Sequence, residues 1–113
     1  MNFLNEEQRL WKEQVDRFVE REIGADYIRS CDRERRYPYE GYQKLADEGW
    51  LQLLIPEEHG GLGGTIFDYA IMLEGLSKYG FDFATAIMVS TFTAMNVVKF
   101  GTPEQQRTYL PGF

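Results

Sequence analysis

Ten consecutive residues, Ile55-Pro56-Glu57-Glu58-His59-Gly60-Gly61-Leu62-Gly63-Gly64, hold four glycines, two carboxylates and the single histidine of the chain. Such a set suggests three chemistries: a backbone cradle for phosphate, a carboxylate pair for acid/base work, or a histidine base beside a nucleophile. A dinucleotide cradle needs G-x-G-x-x-G, and the register that starts at Gly61 puts Ile66 where the third glycine belongs. A P-loop needs Gly-Lys-Ser/Thr, and no lysine lies near. Glu57 and Glu58 are neighbours in sequence and project apart, whereas acid/base partners converge on one substrate. His59 has no Ser or Cys partner that spacing identifies. The segment predicts a turn instead: Pro56 sets its approach, the glycines permit positive φ, and Thr65 caps the helix that follows.

The elements around this turn read as helices. Asn5 and Gln8 form a cap pair, and Trp11, Val15, Phe18 and Val19 recur at helical spacing, predicting a first helix over Glu6–Ile23 that Gly24 ends. A charged connector follows. Pro38 at a first helical position, with Tyr42, Leu45 and Ala46 on one face, predicts a second helix that ends at Gly49. The apolar run 50–55 is either a brief strand or an extended link, with Pro56 biasing Ile55 away from helix. Thr65 and Asp68 predict the start of a third helix that ends near Tyr79 with Gly80 as a left-handed stop. Asp82 opens a fourth. Residues 83–98 carry no charge and are apolar on nearly every side, so this helix is expected to be central and buried; it is too short and too rich in Ser90, Thr91, Thr93 and Asn96 for a membrane span. Gly101 closes it, and Thr102-Pro103-Glu104-Gln105 caps a fifth. The expected fold is all-α, an antiparallel helical bundle in one domain, residues 1–113.

Composition narrows the function further. The chain has 113 residues, 43% apolar, 15% aromatic and 27% charged, which is a globular balance and not a disordered one. A net charge of −6 argues against nucleic acid and against acidic membrane surfaces, since phosphate binding needs a surplus of Lys and Arg. The densest basic run, residues 29–36, is interrupted by Asp32 and Glu34 and reads as a solvated face. One cysteine, Cys31, excludes an intrachain disulfide, and one Cys with one His makes no metal site. The N-terminus lacks the basic flank and apolar run of a signal peptide, so a reducing, cytoplasmic setting is expected.

Several segments together resemble one family. "KLADEGW", "IPEEHGGLGG", "EGLSKYG" and "FGTPEQQRTYLP", in this order and spacing, look like the N-terminal helical domain of the acyl-CoA dehydrogenase family of flavoenzymes, and the resemblance spans essentially the whole chain. Within the family, "CDRERRYP" and "LLIPEEHGGL" are similar to crotonobetainyl-CoA reductase-like members. The resemblance implies a larger enzyme, commonly a homotetramer, in which this domain precedes a β domain and a C-terminal four-helix domain, with FAD mainly between those two. It implies oxidoreductase chemistry of fatty acid metabolism, with a carboxylate base taking the α-proton of an acyl-CoA while the β-hydrogen passes to the flavin. Electrons then go to electron-transfer flavoprotein. The base would lie in the C-terminal region, so no catalytic residue is expected here, and these residues alone would be an incomplete enzyme. For this domain the resemblance implies a share of the acyl pocket, with Ala84, Thr85, Met88 and Phe92 on the lining face; spacing independently allows one stripe from Thr85 through Met88 to Phe92. Two rivals stand beside it: a helical interaction domain without redox chemistry, and a relative with acyl-CoA oxidase or flavin monooxygenase-like chemistry.

Overall fold

A computed structural model describes residues 3–113. Among them are six α-helices and no strand: α1 (Glu6–Phe18), α2 (Gly24–Glu34), α3 (Tyr39–Asp47), α4 (Ile66–Leu76), α5 (Phe81–Phe100) and α6 (Pro103–Tyr109). Three of them start as the local sequence predicts. Asn5 with Gln8, Thr65 with Asp68 and Thr102 with Gln105 each form a reciprocal capping box, in which a side chain and a backbone N–H three residues apart satisfy each other. Pro38 sits just outside α3, as its cap, one residue earlier than expected.

Four expectations need correction. The first helical stretch does reach Ile23, but its last five residues widen into a π turn, Val19–Ile23. Beyond it the charged connector is a helix, α2. Gly24, at φ 77°, breaks the direction, and Tyr27, Ile28 and Cys31 then recur at helical spacing with Asp26, Arg29, Asp32 and Arg33 between them. Residues 50–55 are neither strand nor extended link: Trp50–Gln52 is a single 3₁₀ turn that plants Trp50 in the core. Finally, α4 ends at Leu76, and Gly80 is not a left-handed stop; at φ 155° and ψ 140° it is the cap residue before α5.

The core gathers where α4 packs between α1 and α5. Val15, Val19, Leu45, Met72, Leu76 and Ile87 are fully buried there. Trp50 closes it from the side, edge-on to Trp11 at 5.0 Å and tilted against Phe18 at 4.7 Å, separations at which aromatic pairs add attraction beyond area burial. A second, smaller cluster of Ile55, Ala94 and Leu110 ties the end of the 50–55 segment and α6 to the last turns of α5. The amide of Gln106 reinforces that tie by donating to the carbonyl of Val98 at 3.0 Å, where the helix end leaves carbonyls without partners.

Candidate functional site

The glycine segment folds back on the residues just before it. Its five amides all donate inward: Gly60 to the carbonyl of Glu57 (3.0 Å), Gly61 to Pro56 (3.1 Å), Leu62 to Gln52 (3.0 Å), Gly63 to Ile55 (2.9 Å) and Gly64 to Leu53 (2.7 Å). A phosphate cradle requires free N–H groups aimed at a common point, and here every one is occupied. Gly60 and Gly63 take positive φ, while Gly61 lies so close to Ile55 that a Cβ would sit 2.1 Å from its carbonyl oxygen. Glu57 and Glu58 are exposed and His59 only half-buried beside them. No group of three or more metal-binding side chains occurs among the described residues. The turn expected from sequence is what these residues build.

The feature that can face a ligand is α5. Its inner side buries Phe83, Ala84, Ile87, Thr91 and Ala94. Its outer side is not buried, contrary to the expectation of a helix covered all round: Phe81 is 70% exposed, Val89 58%, Phe92 55% and Phe100 81%. By length and composition alone this 20-residue helix is apolar enough to cross a membrane, yet one of its sides is committed to the core.

The four residues singled out from sequence divide between these sides. Phe92 stands on the open face, Thr85 and Met88 are half-buried at its border, and Ala84, 3% exposed, is turned into the core. Thr85 Oγ1 donates to the carbonyl of Phe81 (3.1 Å) and Thr93 Oγ1 to that of Val89 (3.2 Å), so both threonines satisfy their hydroxyls within the helix. The open face therefore reads as hydrocarbon along most of its length. Sequence reasoning missed Phe81, Val89 and Phe100, which share that face; the uncharged polar residues of α5 fall on both sides, Thr91 buried but Thr93 and Asn96 exposed, so no periodic signal set the outer side apart.

Elsewhere titratable groups are arranged for structure. The Arg36 guanidinium, bonded to Glu40 (2.8 Å) and Glu34 (2.9 Å), holds the Glu40 carboxyl below its usual range. Tyr27 donates to Glu40 (2.9 Å) and accepts from the Gly41 amide (2.9 Å); burial, as the largest cause, pushes its phenol up to about 12. Two buried hydroxyls, Tyr69 on α4 and Thr91 on α5, lie near each other across the α4–α5 contact and have no other hydrogen-bond partner among the described residues.

Comparison with known proteins adds to this geometry. Residues 5–113 match the family described as acyl-CoA dehydrogenase, N-terminal domain. The chain is 33% identical to a probable acyl-CoA dehydrogenase of Bacillus subtilis, covering 97% of the chain and 29% of that protein. It is 32% identical to acryloyl-CoA reductase (NADH) of Anaerotignum propionicum (96% and 27% covered). With cyclohex-1-ene-1-carbonyl-CoA dehydrogenase of Syntrophus aciditrophicus it shares 33% identity (100% and 27% covered). No solved structure matches significantly. The chain thus spans less than a third of the length of these relatives.

Proposed function

The chain belongs to the acyl-CoA dehydrogenase family as its N-terminal domain, and from that premise we propose that it forms one wall of the acyl site of an FAD-dependent enzyme that oxidises or reduces acyl-CoA thioesters. The observation that carries this reading is the uncovered apolar side of α5, where Thr85, Met88 and Phe92 follow one another at helical spacing beside Val89. Between residues 83 and 98 this face offers no charge to a bound group, with Asp82 and Lys99 only at its ends, which suits a hydrocarbon tail. Met88 and Phe92 are bulky, and they favour a short or compact acyl group over a long one. Ala84, buried within the core, supports the stripe from behind.

The described residues do not fit FAD as its principal holder. The glycine turn has no free amide for a pyrophosphate, and Arg36 is already paired with Glu34 and Glu40. We assign the flavin, which supplies hydride transfer when bound, to other parts of the whole protein, together with the base that handles the α-proton. The same reading places the enzyme in the cytoplasm as a homo-oligomer, a homotetramer by the family's habit, that exchanges electrons with electron-transfer flavoprotein. The free, buried Cys31 is consistent with a reducing compartment.

The test uses the full-length protein. It should be purified yellow with FAD, and a short-chain saturated acyl-CoA should bleach the flavin absorbance under anaerobic conditions. A colourless preparation indifferent to coenzyme A thioesters sinks the proposal.

A further inference from the structure

The apolar packing that holds α5 is non-directional, because burial of hydrocarbon rewards area and not angle. Near its start α5 buries Phe83 closely against Gly41 of α3, and beyond that its buried side carries the smaller or aliphatic Ala84, Ile87 and Ala94, with the Thr91 hydroxyl near that of Tyr69 on α4. Phe83 seats the first turn of α5, and along its middle the apolar contact with α4 is supplemented by directional bonds that bear on its rotation. Gln106 anchors only the C-terminal end. In the middle of the helix, two directional bonds reach α5 from the α2–α3 connection and α3. Tyr37 Oη donates to the carbonyl of Ala86 at 3.0 Å, and Tyr42 Oη donates to Ser90 Oγ at 2.9 Å. The Ala86 carbonyl has two lone pairs, so it takes this second donor without giving up its helical one.

The two accepting residues are four apart and lie one above the other on a single flank of α5. At roughly 100° per residue, that flank is about 150° around the helix from the line through Thr85, Met88 and Phe92. The tyrosine rings stand close together, Tyr37 and Tyr42 with centroids 6.2 Å apart and Tyr37 and the exposed Tyr39 at 4.9 Å, so the rings brace one another. Burial, helped by Tyr42 and Tyr39, raises the Tyr37 phenol and keeps it a proton donor.

We infer that Tyr37 and Tyr42 are positioning residues, whose hydroxyls set the rotation of α5 and thereby the depth to which Met88 and Phe92 enter the acyl site. The inference rests on the reading of α5 as a wall of that site. Neither tyrosine is assigned a contact with substrate; both act through the helix.

The experiment is a mutant cycle in the full-length, FAD-loaded protein: Tyr37→Phe, Tyr42→Phe, Ser90→Ala and the Tyr42→Phe/Ser90→Ala pair. For each variant, kcat and KM are measured across a series of saturated acyl-CoA thioesters, and amide hydrogen exchange is followed along α5. Loss of one hydrogen bond should raise KM for the preferred thioester about two- to tenfold and compress the preference between short and long chains, while kcat moves by less than about twofold. Ser90→Ala should reproduce Tyr42→Phe, and the pair should be no worse than either alone, because both remove the same bond. Amides around Ser90 should exchange faster in every variant. If exchange quickens or stability drops while the ratio of KM values across chain lengths is unmoved, the hydroxyls are merely structural and the assignment falls; additive effects in the pair overturn it as well. A wild type that neither carries flavin nor turns over any acyl-CoA fails the underlying reading and takes this assignment with it, an outcome distinct from an active wild type whose variants keep its chain-length profile.

Discussion

The glycine turn and the outer side of α5 look, in sequence, like the wrong way round. The turn concentrates histidine, carboxylates and glycines, the residue types of active sites, yet the five amides from Gly60 to Gly64 all bond to carbonyls of residues 52–57 and its carboxylates are exposed to solvent. α5 is bland by comparison, with no charge over residues 83–98, yet it leaves Val89 and Phe92 open to whatever covers them. The contrast teaches that capacity for binding depends on what the fold leaves unsatisfied. A polar group already paired has nothing further to offer a ligand, whereas apolar surface still in water gains about 25 cal/mol for each Å² that is covered.

The largest effect is expected within α5. Ile87, fully buried on its inner side, is expected to lose about 2–5 kcal/mol of stability on change to Ala, since the cavity adds to the lost transfer energy. Urea unfolding checks this, and a loss comparable to that of an exposed residue would deny that α5 has two distinct sides. The turn offers the next largest effect. Gly61→Ala places a methyl against the Ile55 backbone, and overpacking of this kind costs about 1–3 kcal/mol. If the segment were instead an adaptable ligand loop, the same change would leave the unfolding midpoint near that of the wild type.

The outer side responds differently. Phe92→Ala should alter stability by less than about 0.5 kcal/mol, as surface positions do, while extending tolerance to longer acyl-CoAs by around 1 kcal/mol for each methylene accommodated. Competition between short and long thioesters reads this directly, and an unchanged chain-length preference would return Phe92 to the ordinary surface. The smallest effect is one of pH. The Tyr27 phenol, raised to about 12 by burial above all, titrates later in the folded protein than in the unfolded chain. Its contribution is complete below about pH 10 and is lost as pH climbs from there through about 12. Tyr27→Phe should flatten that part of the stability–pH curve.

The same contrast explains what could be read before folding. Three helix starts were legible because Asn5, Thr65 and Thr102 cap partners only three residues away, and such pairs need no tertiary partner to be recognised. The family was legible in the order of motifs from "KLADEGW" to "FGTPEQQRTYLP". α2 was hidden, since Tyr27, Ile28 and Cys31 make a narrow apolar line inside a dense run of charges that outweighs it in any local reading. Trp50–Gln52 was hidden for a different reason: three apolar residues are too few to show a period.

By itself, the sequence determined that the chain is helical, where several helices begin, which residues are too apolar to be surface loops, and that the glycine run is a turn and not a P-loop or dinucleotide cradle. These are local properties, set by hydrogen bonds and φ preferences within a few residues. Only the tertiary structure decided which side of α5 is buried, that Ala84 is core while Phe92 is not, and that Tyr37 and Tyr42 reach Ala86 and Ser90 from nearly fifty residues away. A helix apolar on every side carries no internal instruction about which side faces inward; that choice belongs to the shape and hydrogen-bonding groups of the elements packed against it.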